Sequence, residues 1–159
     1  MIPLALLALA ALGVGVVYGT DMFFAVVGRR ALARVSDRAM IETMGRFHEV
    51  ADRRMPLFGV IGLVGTAAGA LASPGSIRLW ALEALAAQLA WLAIYVPVAA
   101  PINARLTRAA RAAESPPDGR ALQGRWDSVI ALRAALMTVA LVALLIALGS
   151  LAGGACAIR

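Results

Sequence analysis

The sequence predicts an all-α integral membrane protein: a four-helix bundle with both termini on the outer side and an amphipathic cytoplasmic helix between the first two spans. Three observations predict it. Hydrophobic residues make up 62% of the 159-residue chain and the mean hydropathy is +0.84, far above the values of soluble globules. The apolar residues gather into four stretches, about 2–28, 56–72, 79–100 and 128–153, each near the roughly 20 residues that a spanning helix needs. Strand-type alternation is absent, which argues against a barrel. Residues 1–159 read as a single membrane domain.

Charge sets the expected orientation. The net charge of +6 would suggest nucleic acid in a soluble protein, but its placement excludes that partner. Arg29, Arg30, Arg34, Arg38, Arg46, Arg53 and Arg54 fall between the first two spans, and Arg105, Arg108, Arg111, Arg120 and Arg125 between the last two. The positive-inside rule makes that side cytoplasmic, so the termini face outward. Every basic residue is arginine, which reads as composition bias rather than chemistry. The first span lacks the basic leader and the short apolar run of a signal peptide and is expected to be retained. Cys156 is the lone cysteine, so no intramolecular disulfide forms.

The first span contains Gly15-x-x-x-Gly19, a spacing that lets another helix approach closely, whether within the chain or in a homo-oligomer. Asp21 lies two turns before Arg29, roughly 12 Å inside that end at 1.5 Å per residue. An acid there is either simply paired or chemically active. Between the spans, Ser36 suits a helix cap and Asp37 a first turn. Met40, Met44, Phe47 and Ala51 share one apolar face, and Glu42/Arg46 and Glu49/Arg53 are helix-neighbour ion pairs. This helix either lies on the inner membrane surface or extends the second span.

His48 precedes Asp52 by one turn, so Asp52 is placed to accept from the imidazole and fix its tautomer, the support a general base needs. The bland alternative is a solvated histidine beside an acid. Pro56 is expected to start the second span, in which Gly59, Gly62, Gly65 and Gly69 form a smooth packing face.

The third span carries Trp80, Ala84, Gln88, Trp91 and Tyr95 at helical spacing, with Trp80 in the outer interfacial belt. Such a stripe is either helix packing or the wall for a flat, weakly polar ligand. Pro97 and Pro101 loosen its inner end, and Asn103 follows at the mouth. In the fourth span, Arg133 lies two turns after Trp126, roughly 10 Å inward. That depth matches Asp21. The two are expected to form a structural ion pair, with snorkelling of Arg133 to headgroups as the alternative.

Taken together, H-x-x-x-D-R-R-x-P (His48, Asp52, Arg53, Arg54, Pro56), P-x-x-x-P-x-N (Pro97, Pro101, Asn103) and R-W-x-x-x-x-x-x-R (Arg125, Trp126, Arg133) resemble one bacterial family of small four-helix membrane proteins. That family has an uncharacterised-domain label and includes the fungal anthrone oxygenases. The resemblance implies a bacterial cytoplasmic (inner) membrane protein and a cofactor-independent oxygenase, with dioxygen and a flat phenolic compound as partners besides the bilayer. His48 oriented by Asp52 would be the base, and Arg133 with Asn103 the stabiliser of the anion. Trp91, Tyr95 and Trp126 would be the aromatic walls. The resemblance implies neither metal nor flavin, and one histidine and one cysteine do not build an ordinary two-histidine metal site. Two other functions fit the same residues: a non-catalytic membrane interaction protein, and a small proton-coupled exporter working through Asp21.

Overall fold

The computed structural model describes the backbone of residues 1–156 and the side-chain surroundings of residues 1–153. Arg159 and the side chain of Cys156 lie outside the described residues. Among the described residues there is no strand, and four helices are long and apolar enough to cross a membrane: α1 (Ile2–Leu32), α2 (Asp37–Ala72), α3 (Gly75–Ala112) and α4 (Gly119–Cys156).

Every helix outruns its apolar stretch where the arginines begin. Of the two forms expected for the helix between the first two spans, it takes the second: it is the front of α2, which runs unbroken from Asp37. Ser36 caps it, its Oγ accepting from the Ala39 backbone N–H at 3.3 Å. Pro56 therefore sits inside a helix rather than at the start of one. It forfeits one helical bond, the one that the Asp52 carbonyl would have accepted.

Two wide turns interrupt the regular helices. In α1 the segment Phe24–Gly28 is π-helical, with the Arg29 N–H reaching back to the Phe24 carbonyl. In α3 the segment Tyr95–Ala99 is π-helical, and the Ala100 N–H donates to the Tyr95 carbonyl. The second contains Pro97, and Pro101 opens the α-helical segment that follows. Pro97 and Pro101 thus loosen α3 by widening a turn rather than by ending the helix. One extra residue in the turn absorbs the missing donors, and the helix continues to Ala112.

The described residues group into two compact units, one of 1–19, 57–91 and 135–156, the other of 20–56 and 92–134. In the first unit, glycines let α1 and α2 meet. A Cβ on Gly13 would lie 2.6 Å from the Phe58 carbonyl oxygen, and Gly62, Gly65 and Gly69 meet Val14, Ala10 and Leu7 in turn. Gly15, Gly19 and Gly59 face open space, so the helix contact uses a different face of α1 from the one suggested by the Gly15/Gly19 spacing. Gln88 donates to Thr66 Oγ1 at 2.8 Å, and Thr66 donates to the Gly62 carbonyl at 2.7 Å. Arg78 closes the end of α2, its Nε donating to the carbonyls of Ser73 (2.9 Å) and Ala70 (3.2 Å). Trp80 and Glu83 are exposed.

In the second unit, α2 presents Met40, Ile41, Met44 and His48 to an apolar core shared with Ala99, Ile102, Leu106, Trp126 and Ile130. Phe47, placed on the apolar face by its hydrophobicity, is 51% exposed. Gly45 sets this rotation. A Cβ there would lie 2.4 Å from the Leu106 carbonyl oxygen, and Thr107 Oγ1 donates to the Gly45 carbonyl at 3.2 Å. Arg46 pairs with Glu49 at 3.0 Å, which also binds Arg111 at 3.0 Å and Arg53 at 3.9 Å. Arg120 ties the 33–36 turn. It pairs with Asp37 at 2.7 Å and donates to the carbonyls of Leu32 (3.0 Å) and Val35 (2.8 Å).

These contacts give opposite signs for one chemical change. Alanine for glycine in a helix gains about 1 kcal/mol, whereas overpacking costs about 1–3 kcal/mol. Gly13→Ala and Gly45→Ala should therefore lower the unfolding midpoint in detergent, while Gly15→Ala should leave it unchanged or raise it. Thermal unfolding followed by circular dichroism reads the difference.

Candidate functional site

Seven of the residues singled out in the sequence belong to the second unit: Asp21, His48, Asp52, Tyr95, Asn103, Trp126 and Arg133. Trp91 is half-buried and belongs to the first.

The ions come first because they are the costliest groups to bury. Asp21 is 2% exposed and Arg133 5%. Arg133 Nη2 donates to Asp21 Oδ1 at 2.7 Å. The guanidinium points into the protein and does not snorkel. Its carbon lies 5.4 Å from the Tyr95 ring centroid and 5.5 Å from that of Trp126, so two aromatic rings share the cation.

Trp126 is the hub. Its indole N–H donates to Asn103 Oδ1 at 3.1 Å. Asn103 Nδ2 donates to Asp52 Oδ1 at 3.0 Å, and the Tyr95 hydroxyl donates to the same oxygen at 3.3 Å. The Phe24 ring meets the Trp126 ring edge-on at 5.4 Å, and the His48 ring lies 5.7 Å from it. Both π-helical turns feed this site, one through Phe24 and the other through Tyr95.

His48 is 5% exposed, and its Nε2 has no hydrogen-bond partner. It is neither the solvated histidine of the bland reading nor the partner of Asp52. No hydrogen bond joins the two, because α2 turns His48 into the core and leaves Asp52 exposed at its edge. There α3 offers the carboxylate two donors, where the imidazole would offer one. A buried ring nitrogen that no protein group satisfies is costly, and it is chemically open to a proton from a bound compound.

Phe24 was not foreseen. It follows Asp21 by three residues and so shares its helix face, a signal that was readable. Gln123 was also missed: it is buried, donates to Asp127 Oδ1 at 2.9 Å, and leaves its Oε1 without a partner. Among the described residues no three His, Cys, Asp or Glu side chains gather closely enough to hold a metal ion.

No protein-family model matches the chain, and no curated protein or solved structure matches it.

Removing one partner of a buried ion pair strands the other, at about 3–5 kcal/mol. Asp21→Asn and Arg133→Gln should each destabilise the protein on that scale. The double variant should lose less than the sum of the two. A double-mutant cycle in denaturant titrations of detergent-solubilised protein tests the coupling.

Proposed function

We propose that this chain is a membrane protein that binds a flat phenolic compound and oxidises it with dioxygen, using no cofactor, in the manner of the anthrone oxygenases that its motifs resemble. The arginine-rich ends of the helices would face the cytoplasm and both termini the outside, in a bacterial cytoplasmic membrane. One observation carries the reading. A buried imidazole with an unsatisfied Nε2 and a buried guanidinium lie against the same indole ring.

In this reading the reacting carbon of a phenolic ketone loses a proton to His48 Nε2. The guanidinium of Arg133 stabilises the anion that results. The electron pair of the anion forms a C–O bond to dioxygen, reducing it to a peroxide. The imidazolium returns its proton to the peroxide; His48 then takes the second C–H proton as the O–O bond breaks, giving a quinone and a hydroxide that gains one proton to become water. Trp126 and Tyr95 supply flat walls. Asn103, which holds both Trp126 and Asp52, positions the wall, and Asp52 acts on Tyr95 rather than on His48.

A second reading, a non-catalytic protein that docks another membrane helix, is favoured by Gly15 and Gly19, which face open space on α1. A second copy of the chain would suit that face. The exporter reading is weaker, because Asp21 is held by Arg133 rather than left to bind and release protons.

Oxygen uptake by purified protein given anthrone separates these readings. His48→Ala should slow uptake by about 10²–10⁴-fold, the usual contribution of a general base, and Arg133→Ala should slow it as well. Equal uptake by wild type and both variants would sink the catalytic reading.

A further inference from the structure

Within the cluster, Asp52 alone is exposed, while Asn103, Trp126, His48, Asp21 and Arg133 are buried and Tyr95 is half-buried. Arg53 and Arg54 follow it and are exposed too. Three successive charged residues mark a part of α2 that meets water rather than hydrocarbon. Two arms reach inward from the Asp52 carboxylate, one through Asn103 to Trp126 and one through the Tyr95 hydroxyl.

The two arms differ in what they can transmit. An indole N–H only donates, so Asn103 must give its carbonyl oxygen to Trp126 and its amide N–H to Asp52. Neither an amide nor an indole releases a proton near neutral pH, so that arm is a lock. A phenol both gives and takes a proton. Tyr95 meets the Asp52 carboxylate of α2 through its hydroxyl and the guanidinium of Arg133 of α4 through its ring, so one side chain touches both the exposed carboxylate and the buried cation.

We propose that Tyr95 is the proton donor of this site and that Asp52 is its relay to water. The proposal rests on the oxygenase reading above, in which His48 takes a proton and the oxygen that leaves as water must gain one. One proton and no electrons move in each passage. Asp52 takes a proton from water, the Tyr95 hydroxyl gives its own to the departing oxygen, the Asp52 carboxyl restores the phenol, and His48 gives up its proton to water as the quinone leaves, so no net proton is consumed. Base and acid are then separate groups, with His48 on one side and Tyr95 on the other.

The chain has two tyrosines, so Tyr18→Phe leaves Tyr95 as the single phenol, and its ionisation after a pH jump can be followed by ultraviolet absorbance without any ligand. In that background Asp52→Asn keeps an oxygen for both hydrogen bonds but removes the base. It should slow the appearance of phenolate on the order of tenfold or more. Asp52→Glu should restore the rate, as should added formate acting at the exposed position. An unchanged rate in Asp52→Asn, with tryptophan fluorescence showing an intact fold, would overturn the relay. Should Asp52→Asn not fold, Asp52→Ala takes its place, and phenolate that appears there as fast as with Asp52 present, with or without formate, overturns it equally. The relay and the oxygenase fail separately. Slowed phenolate formation without anthrone-dependent oxygen uptake supports the relay and removes the oxygenase, and uptake with unchanged phenolate kinetics does the reverse.

Discussion

The ion pair between Asp21 and Arg133 is the constraint on which the second unit is built. An isolated charge in a low-dielectric interior costs several kcal/mol even after relaxation, and only close pairing offsets it. A separation of 2.7 Å therefore fixes how α1 and α4 are rotated and how far each has slid along its axis. Once they are so placed, the guanidinium must lie over Tyr95 and Trp126. Trp126 in turn engages Asn103, and Asn103 engages Asp52. The aromatic walls and the hydrogen-bond lock are thus downstream of one electrostatic requirement.

The two units solve the burial of polar groups differently. In the first, Gln88 and Thr66 satisfy each other and a helix carbonyl at a point where Gly62 brings the backbones close. Neutral groups of this kind act as glue between helices. In the second, ions, rings and an unsatisfied imidazole nitrogen gather on four helices, two of them widened to π geometry. Such wide turns are costly and are frequent at functional sites. Reactive groups held on helices rather than loops also keep their positions well.

What the sequence made legible follows from the size of the energies involved. Four helices long and apolar enough to cross a membrane were readable because length and apolar content are the strongest signals a sequence carries. The partnership of Asp21 and Arg133 was readable because depth can be counted at a fixed rise per residue, and a lone ion at that depth is costly. Small energies decided the rest. Each helix runs beyond its apolar stretch at the arginine-rich end, since such a segment carries no hydropathy signal and yet stays helical, as the front of α2 behind Ser36 does. Hydrophobicity points Phe47 to the buried face, and the close approach at Gly45, beside which His48 is buried instead, leaves no mark in the sequence. The acceptor role of Asp52 was foreseen but its donors were not, because spacing within one helix says nothing about what the neighbouring helix offers. Gly13 was overlooked in favour of Gly15 and Gly19 for the same reason.

Arg120 gives the molecule a built-in order of assembly. It lies 83 residues beyond Asp37 and 88 beyond Leu32, yet the turn joining the first two helices is fastened by it. During synthesis that turn emerges long before its fastener exists. A nascent chain halted after the third helix would carry the hairpin of α1 and α2 with the Leu32 and Val35 carbonyls hydrated and Asp37 unpaired. The fourth helix supplies the side chain that fastens the turn between the first two.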